Sequence, residues 1–121
     1  MATIAEVEQE ARRQMARVKR WRFTKVPPAI EKLIDPFEAW WNVNRADLTE
    51  IFYGGIGQVC ADDHRPDAAL DETVAIIMQA FFLCNFSAFL RSRGLPQPLS
   101  TAMATSLIDS GITMVTEDDD D

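Results

Sequence analysis

The sequence predicts an all-α fold: one small domain of four to six helices around a central apolar helix at about residues 67–93. Seventeen consecutive residues, Val74–Leu90, carry no charge, and their apolar side chains fall on every side of a helical wheel. That distribution is typical of a helix that other helices cover on all sides. A chain of 121 residues is long enough to form one core without a metal or a disulfide.

The N-terminal segment has a helix start signal followed by helical spacing. Thr3 and Glu6 have the spacing of a capping box, in which each side chain accepts a hydrogen bond from the backbone of the other residue. Apolar residues then recur every three or four positions, which predicts a first helix from about Ile4 to Arg20. These apolar residues are Ile4, Val7, Ala11, Met15 and Val18.

The middle of the chain contains two further helix signals. The Pro27–Pro28 pair predicts a corner, because proline lacks the amide donor that a helix needs. Asp35–Pro36 fits an N-cap followed by the first helical position, so we expect a short helix through Trp40–Trp41. A separate helix is predicted to begin near Ala46–Asp47, and Gly54–Gly55 weakens it.

The C-terminal part of the sequence predicts one more helix and an extended end. Gly94 is expected to cap the central helix in the left-handed conformation. Ser100 is expected to cap a final helix that ends near Ser110. Ile112–Thr116 has strand-like composition, but no partner strand is evident, so an extended tail is predicted. The predicted organisation is therefore an N-terminal amphipathic helix (1–25), a helical core domain (26–115) and a flexible acidic tail (116–121).

Charge is distributed unevenly along the chain, whose net charge is −7. Residues 1–25 contain seven of the twelve basic residues and three acids, so this segment carries +4 and the remainder carries −11. The basic stretch Arg12–Lys25 suits contact with an acidic protein surface or with phosphates, and a solvated basic helix end is the third interpretation. Self-association through the oppositely charged parts is also compatible with this pattern.

Aromatic residues near the basic stretch complete the predicted partner-binding set. Neighbouring helical residues point about 100° apart, so Trp40 and Trp41 cannot both face one core. Either one remains outside as an interface anchor, or helices cover both sides. The predicted partner-binding residues are Arg13, Arg17, Arg20, Trp21, Phe23, Trp40 and Trp41.

The sequence offers little support for catalysis or for metal binding. Cys60 and His64 have a spacing that two zinc ligands could use, but a structural zinc site needs four ligands and no second pair is present. His64 is the only histidine, and no nucleophile motif accompanies it. The glycines at 54–57 lack the lysine of a phosphate-binding loop. No enzyme activity, cofactor, metal or small-molecule substrate is inferred.

These observations favour a non-enzymatic protein–protein interaction module: a small helical adaptor, assembly factor or inhibitor. The first helix is expected to project from the domain or to pack loosely on it, and to bind the partner. The alternative is a nucleic-acid-binding or regulatory protein that uses Arg12–Lys25. A membrane-inserted protein is a second alternative, disfavoured because Val74–Leu90 is at the lower length limit and contains Gln79 and Asn85. The N-terminus has no export signal, which favours the cytoplasm.

Overall fold

The computed structural model describes residues 3–63, 67–109 and 112–116, and it confirms the predicted all-α class. Five helices lie in the described residues, together with one pair of short strands. Helix α4 forms the centre, and α1, α3 and α5 pack on it. The elements in chain order are α1 (Ile4–Arg17), β1 (Val18–Phe23), α2 (Pro28–Glu31), α3 (Ile34–Asp63), α4 (Leu70–Ser92), α5 (Gln97–Asp109) and β2 (Ile112–Thr116).

Helix α1 begins as predicted but ends three residues early. The capping box between Thr3 and Glu6 is present, with the Thr3 hydroxyl accepting from the Glu6 amide at 3.2 Å. Val7, Ala11 and Met15 are buried against α3 and α4, so α1 belongs to the core and does not project from the domain. The predicted continuation of this helix to Arg20 is wrong, because the backbone becomes extended at Val18.

Strand β1 pairs antiparallel with β2, so the predicted unpaired extended tail at Ile112–Thr116 is also wrong. The register places Val18 opposite Thr116, with an irregularity between Val18 and Arg20. Such an irregularity changes which residues face inward, and here Val18 and Trp21 are both buried although they are three positions apart. The pairing of β1 with β2 and the burial of Trp21 together explain why a strand replaces the predicted last turn of α1. Residues 117–121 of the predicted tail lie outside the described residues.

Helix α3 replaces the two short helices that the sequence predicted. It runs without interruption through Gly54 and Gly55, where a glycine costs only about 1 kcal/mol relative to alanine. Phe52, Ile56 and Cys60 are buried on one side of this stretch, which provides enough packing to keep the helix continuous. The predicted corner at the proline pair is confirmed by α2, a single turn that begins at Pro28.

Helix α4 is the predicted central helix. Its buried aromatic residues form a continuous set of ring contacts with α3, in which Phe37 of α3 meets Phe86 at a centroid distance of 4.8 Å. Gly94 has φ +97°, and the Leu95 amide donates to the Leu90 carbonyl at 3.1 Å, which confirms the predicted left-handed cap. Helix α5 starts at Gln97, before the predicted cap residue Ser100, whose hydroxyl instead donates to the Gln97 carbonyl.

Helix α4 is also long and apolar enough to cross a membrane, judged by length and composition. Of its most apolar stretch, 61% is buried by the rest of the chain. A central core helix meets the same criteria, so this property is weak evidence for a membrane location.

Candidate functional site

Two of the predicted partner-binding residues, Trp21 and Trp41, lie in the core. Only 3% and 2% of their surfaces are exposed, and their rings meet edge to face at 6.0 Å. Arg45 covers the outer side of Trp41 at 4.3 Å from the ring centroid. While the chain keeps this fold, neither tryptophan can contact a partner, so their predicted role as interface anchors is corrected to a packing role.

The other two aromatic residues of the predicted set are partly buried. Trp40 contacts Phe89 at 5.6 Å, so the residue left at the margin of the core is Trp40 and not Trp41. Phe23 packs against Phe37 at 6.5 Å and Phe82 at 6.0 Å. Both rings are therefore committed mainly to packing, and stacking of Phe23 on a nucleic-acid base would require its contacts with the core to break.

The predicted arginines do not form one continuous helical surface. Arg13 is exposed on α1 and pairs with Glu10, and this pairing lowers the pKa of Glu10 to about 2 and raises the pKa of Arg13. Arg17 ends α1, whereas Arg20 belongs to β1, and both are partly exposed. The change from helix to strand at Val18 therefore separates residues that the sequence analysis had placed on one helix.

An exposed apolar surface lies on α3 instead. Val43 and Ile51 are 82% and 74% exposed, far more than the other large apolar residues of the described chain. They lie two helical turns apart, which is about 12 Å along the axis. The exposed residues on this side, called here the α3 outer face, are Val43, Ala46, Asp47, Glu50, Ile51 and Gly54. This face was not predicted, because the two separate helices expected in place of α3 did not put Val43 and Ile51 on a common side.

A groove of about 470 Å³ runs beside the α3 outer face, between α3 and α4 and bordered by the start of α5. Its α3 wall is apolar and includes Leu48, Phe52 and Val59 together with Ile51, which it shares with the α3 outer face. A Cβ added at Gly55 would meet no atom within 4 Å. This cavity, called here the α3–α4 groove, has a volume in the range of sites for small ligands. Its remaining wall residues on α4 and α5 include Cys84, Asn85, Ser87, Ala88, Arg91 and Thr101.

The polar groups of the groove are few and come mainly from α4. Arg91 is the only charged residue among the wall residues that the structure describes, and its Nε donates to the Ser87 carbonyl at 3.4 Å. Asn85 is 1% exposed, and its amide nitrogen has no hydrogen-bond partner. Burial raises the pKa of the Cys84 thiol, whereas the positive charge of Arg91 acts in the opposite direction. A buried donor without an acceptor is uncommon, because leaving it unpaired lowers stability.

The cysteine–histidine pair considered as zinc ligands is not assembled in the described residues. Cys60 is fully buried in the core, and His64 lies outside the residues that the structure describes. Within the described part of the chain, no group of three or more histidine, cysteine, aspartate or glutamate residues is arranged to hold a metal ion.

In comparisons with known proteins, no family model, curated protein or solved structure matches this chain. The class of the molecule therefore follows from its own fold: a small all-α domain with a central apolar helix. The candidate sites on this domain are the α3 outer face and the α3–α4 groove.

Proposed function

We propose that this chain is a non-enzymatic protein-interaction module that binds its partner along the α3 outer face. The observation that carries the proposal is the exposure of Val43 and Ile51 on a helix whose other large apolar residues are mostly buried or partly buried. Exposed apolar residues that share one helix face are typical of protein-binding surfaces when they occur together. Single exposed apolar residues need no such explanation.

The charges around this face define the chemistry of the partner. Asp47 and Glu50 lie between Val43 and Ile51, and α3 as a whole contains six acids and one base. A complementary surface is an amphipathic helix with apolar residues two turns apart, flanked by lysine or arginine. A second copy of this chain is a less suitable partner through the same face, because two acidic faces would repel each other.

The distribution of charge also separates this proposal from nucleic-acid binding. Lys19 and Arg22 are exposed on β1, so phosphate contact through β1 is the competing function. Trp21 is buried and Phe23 is partly buried, which leaves that surface without a freely exposed aromatic ring for stacking on bases.

The test uses Val43→Glu, with Leu99→Glu as the matched control. Both residues are exposed and apolar, Val43 at 82% and Leu99 at 49%, but Leu99 belongs to α5. The tagged variants and the unaltered chain are used to capture partners from a lysate of the source cells after nuclease treatment, and bound proteins are quantified by mass spectrometry. We expect at least one protein to be reduced tenfold or more by Val43→Glu and to be retained by Leu99→Glu.

Two outcomes would overturn the proposal. Capture from an untreated lysate that is lost entirely after nuclease treatment would make the basic surface of β1 the binding site. Equal capture by Val43→Glu and Leu99→Glu would show that α3 does not carry the interaction. Circular dichroism of both variants is the control for folding, since substitutions at such exposed positions are expected to leave the helical content unchanged.

A further inference from the structure

We propose that the α3–α4 groove binds an amphiphile with one carboxylate head group and an unbranched apolar chain. This inference concerns a small molecule and does not rest on the proposed protein partner. Two observations carry it: the apolar α3 wall, and Arg91 as the single charged residue among the described residues of the wall.

The shape of the groove suits the apolar chain of such a ligand. The groove follows α3 from Leu48 to Val59, which corresponds to about 16 Å along the helix axis. Gly55 keeps the middle of this wall open, because a Cβ there would meet no atom within 4 Å. On the opposite wall, the side chains of Cys84, Ser87 and Ala88 are small. The groove is thus long enough to hold an extended chain.

The positive charge in the groove wall favours a negatively charged head group. Although the chain carries a net charge of −7, the described residues of the groove wall include no acid and a single arginine. Arg91 forms no ion pair with any residue that the structure describes, so its guanidinium group is available to a carboxylate. A carboxylate accepts two parallel hydrogen bonds from an arginine, an arrangement that a hydroxyl or an ammonium group cannot reproduce.

Arg91 is held in place beside the groove. Its side chain turns back along α4, since its Nε donates to the Ser87 carbonyl and its charge acts on the Cys84 thiol. Ser87 and Cys84 are themselves wall residues, so the guanidinium group lies on the α4 side of the groove. A small number of polar groups in a mainly apolar cavity is the usual composition of a small-ligand site.

The test compares three monomeric probes that share one chain: decanoate, 1-decanol and decyltrimethylammonium. Binding to the full chain is measured by isothermal titration calorimetry. We expect saturable binding of decanoate, with an affinity at least tenfold above that of either other probe. Arg91→Gln should reduce the affinity for decanoate about tenfold and leave the affinity for 1-decanol within twofold, because a charge-assisted hydrogen bond is lost and the apolar wall remains.

Each variant has a matched control in the chain. Arg93→Gln removes an exposed arginine two residues further on that is not part of the groove wall, and it should bind decanoate normally. Gly55→Leu fills the groove, whereas Gly57→Leu places the same side chain on another side of α3.

Several results would overturn the inference: no saturable decanoate binding, equal effects of Arg91→Gln and Arg93→Gln, or equal effects of Gly55→Leu and Gly57→Leu. The source of the anion is tested separately with phosphatidylglycerol vesicles. If the chain binds these vesicles but does not bind monomeric decanoate, the basic surface of β1 contacts a membrane. The groove then does not bind a free amphiphile. The Val43→Glu variant should bind decanoate normally, so failure of the protein-partner proposal leaves this result unaffected.

Discussion

Helices α3 and α4 are the two longest helices, with 30 and 23 residues, but they use their apolar residues differently. The apolar residues of α4 serve the core, and its charges are confined to its two ends. Helix α3 mixes polar and apolar residues along its length, and it exposes Val43 and Ile51 while burying Phe37 and Trp41. The difference teaches that an uncharged run locates the core, whereas exposed apolar residues that share one face of a polar helix mark the surface proposed here for binding.

The largest expected change in stability comes from removing a buried aromatic ring at the centre of α4. Phe86 is fully buried and contacts Phe37, Phe82 and Phe89 at centroid distances of 4.8–5.8 Å. Phe86→Ala should lower the free energy of unfolding by about 3–5 kcal/mol, because both the ring contacts and the packed volume are lost. Urea unfolding followed by circular dichroism measures this change.

Val43→Ala in α3 is the matched substitution on the exposed side, and it should change the unfolding free energy by less than about 0.5 kcal/mol. If the two substitutions were equally destabilising, the assignment of α4 to the core and of the α3 outer face to solvent would be wrong.

A smaller effect, of opposite sign in the two helices, is expected when glycine is replaced by alanine. Gly54 lies inside α3, and an added Cβ would meet no atom within 4 Å, so Gly54→Ala should stabilise the fold by about 0.5–1 kcal/mol. Gly94 ends α4 with φ +97°, so Gly94→Ala should destabilise it by about 1–2 kcal/mol. Thermal unfolding of the two variants in one buffer tests the pair, and a shift of the same sign in both would contradict the assigned backbone conformations.

The smallest expected effect is electrostatic and lies on α1. Arg13 holds the pKa of Glu10 at about 2, below the ordinary value of 4.5. Because the folded-state pKa is depressed, this carboxylate contributes stability above about pH 4.5, and that contribution is lost as the pH falls towards 2. Glu10→Gln should therefore lower the urea midpoint slightly at pH 7, and the difference from the unaltered chain should disappear near pH 2.

The exposed Glu31 of α2 provides the control for removal of a surface carboxylate. A midpoint difference for Glu10→Gln that remained unchanged from pH 7 to pH 2 would show that the ion pair with Arg13 is not its source. The effect is small in any case, because solvent screens an ion pair whose arginine is largely exposed.

Local signals in the sequence were sufficient to predict several parts of the fold. The capping box at Thr3, the uncharged run that became α4 and the left-handed cap at Gly94 each depend on residues within a few positions of one another. The strands were not predictable in this way. Whether Val18 continues a helix or starts a strand depends on pairing with Thr116, a contact between distant parts of the sequence.

The candidate sites were harder to predict than the fold, for a related reason. Trp21 lies among arginines in the sequence, which suggested a surface residue, but β1 carries its ring to Phe81 and Phe82 of α4. The groove wall combines residues from three helices, so no spacing pattern within one segment of the sequence could predict it. The outer position of Val43 and Ile51 was not predicted, because spacing reveals it only when α3 is known to continue through its glycines.

The pairing of β1 with β2 has a consequence for the order of events during protein synthesis. About 90 residues separate the two strands, and they include α3, α4 and α5. While the ribosome is producing those helices, β1 has no strand to pair with, and Trp21 has no aromatic residues of α4 to pack against until Phe81 and Phe82 emerge. The nascent chain therefore passes through a long interval in which an unpaired strand and an uncovered tryptophan are accessible to chaperones, and this interval closes only once β2 has left the exit tunnel.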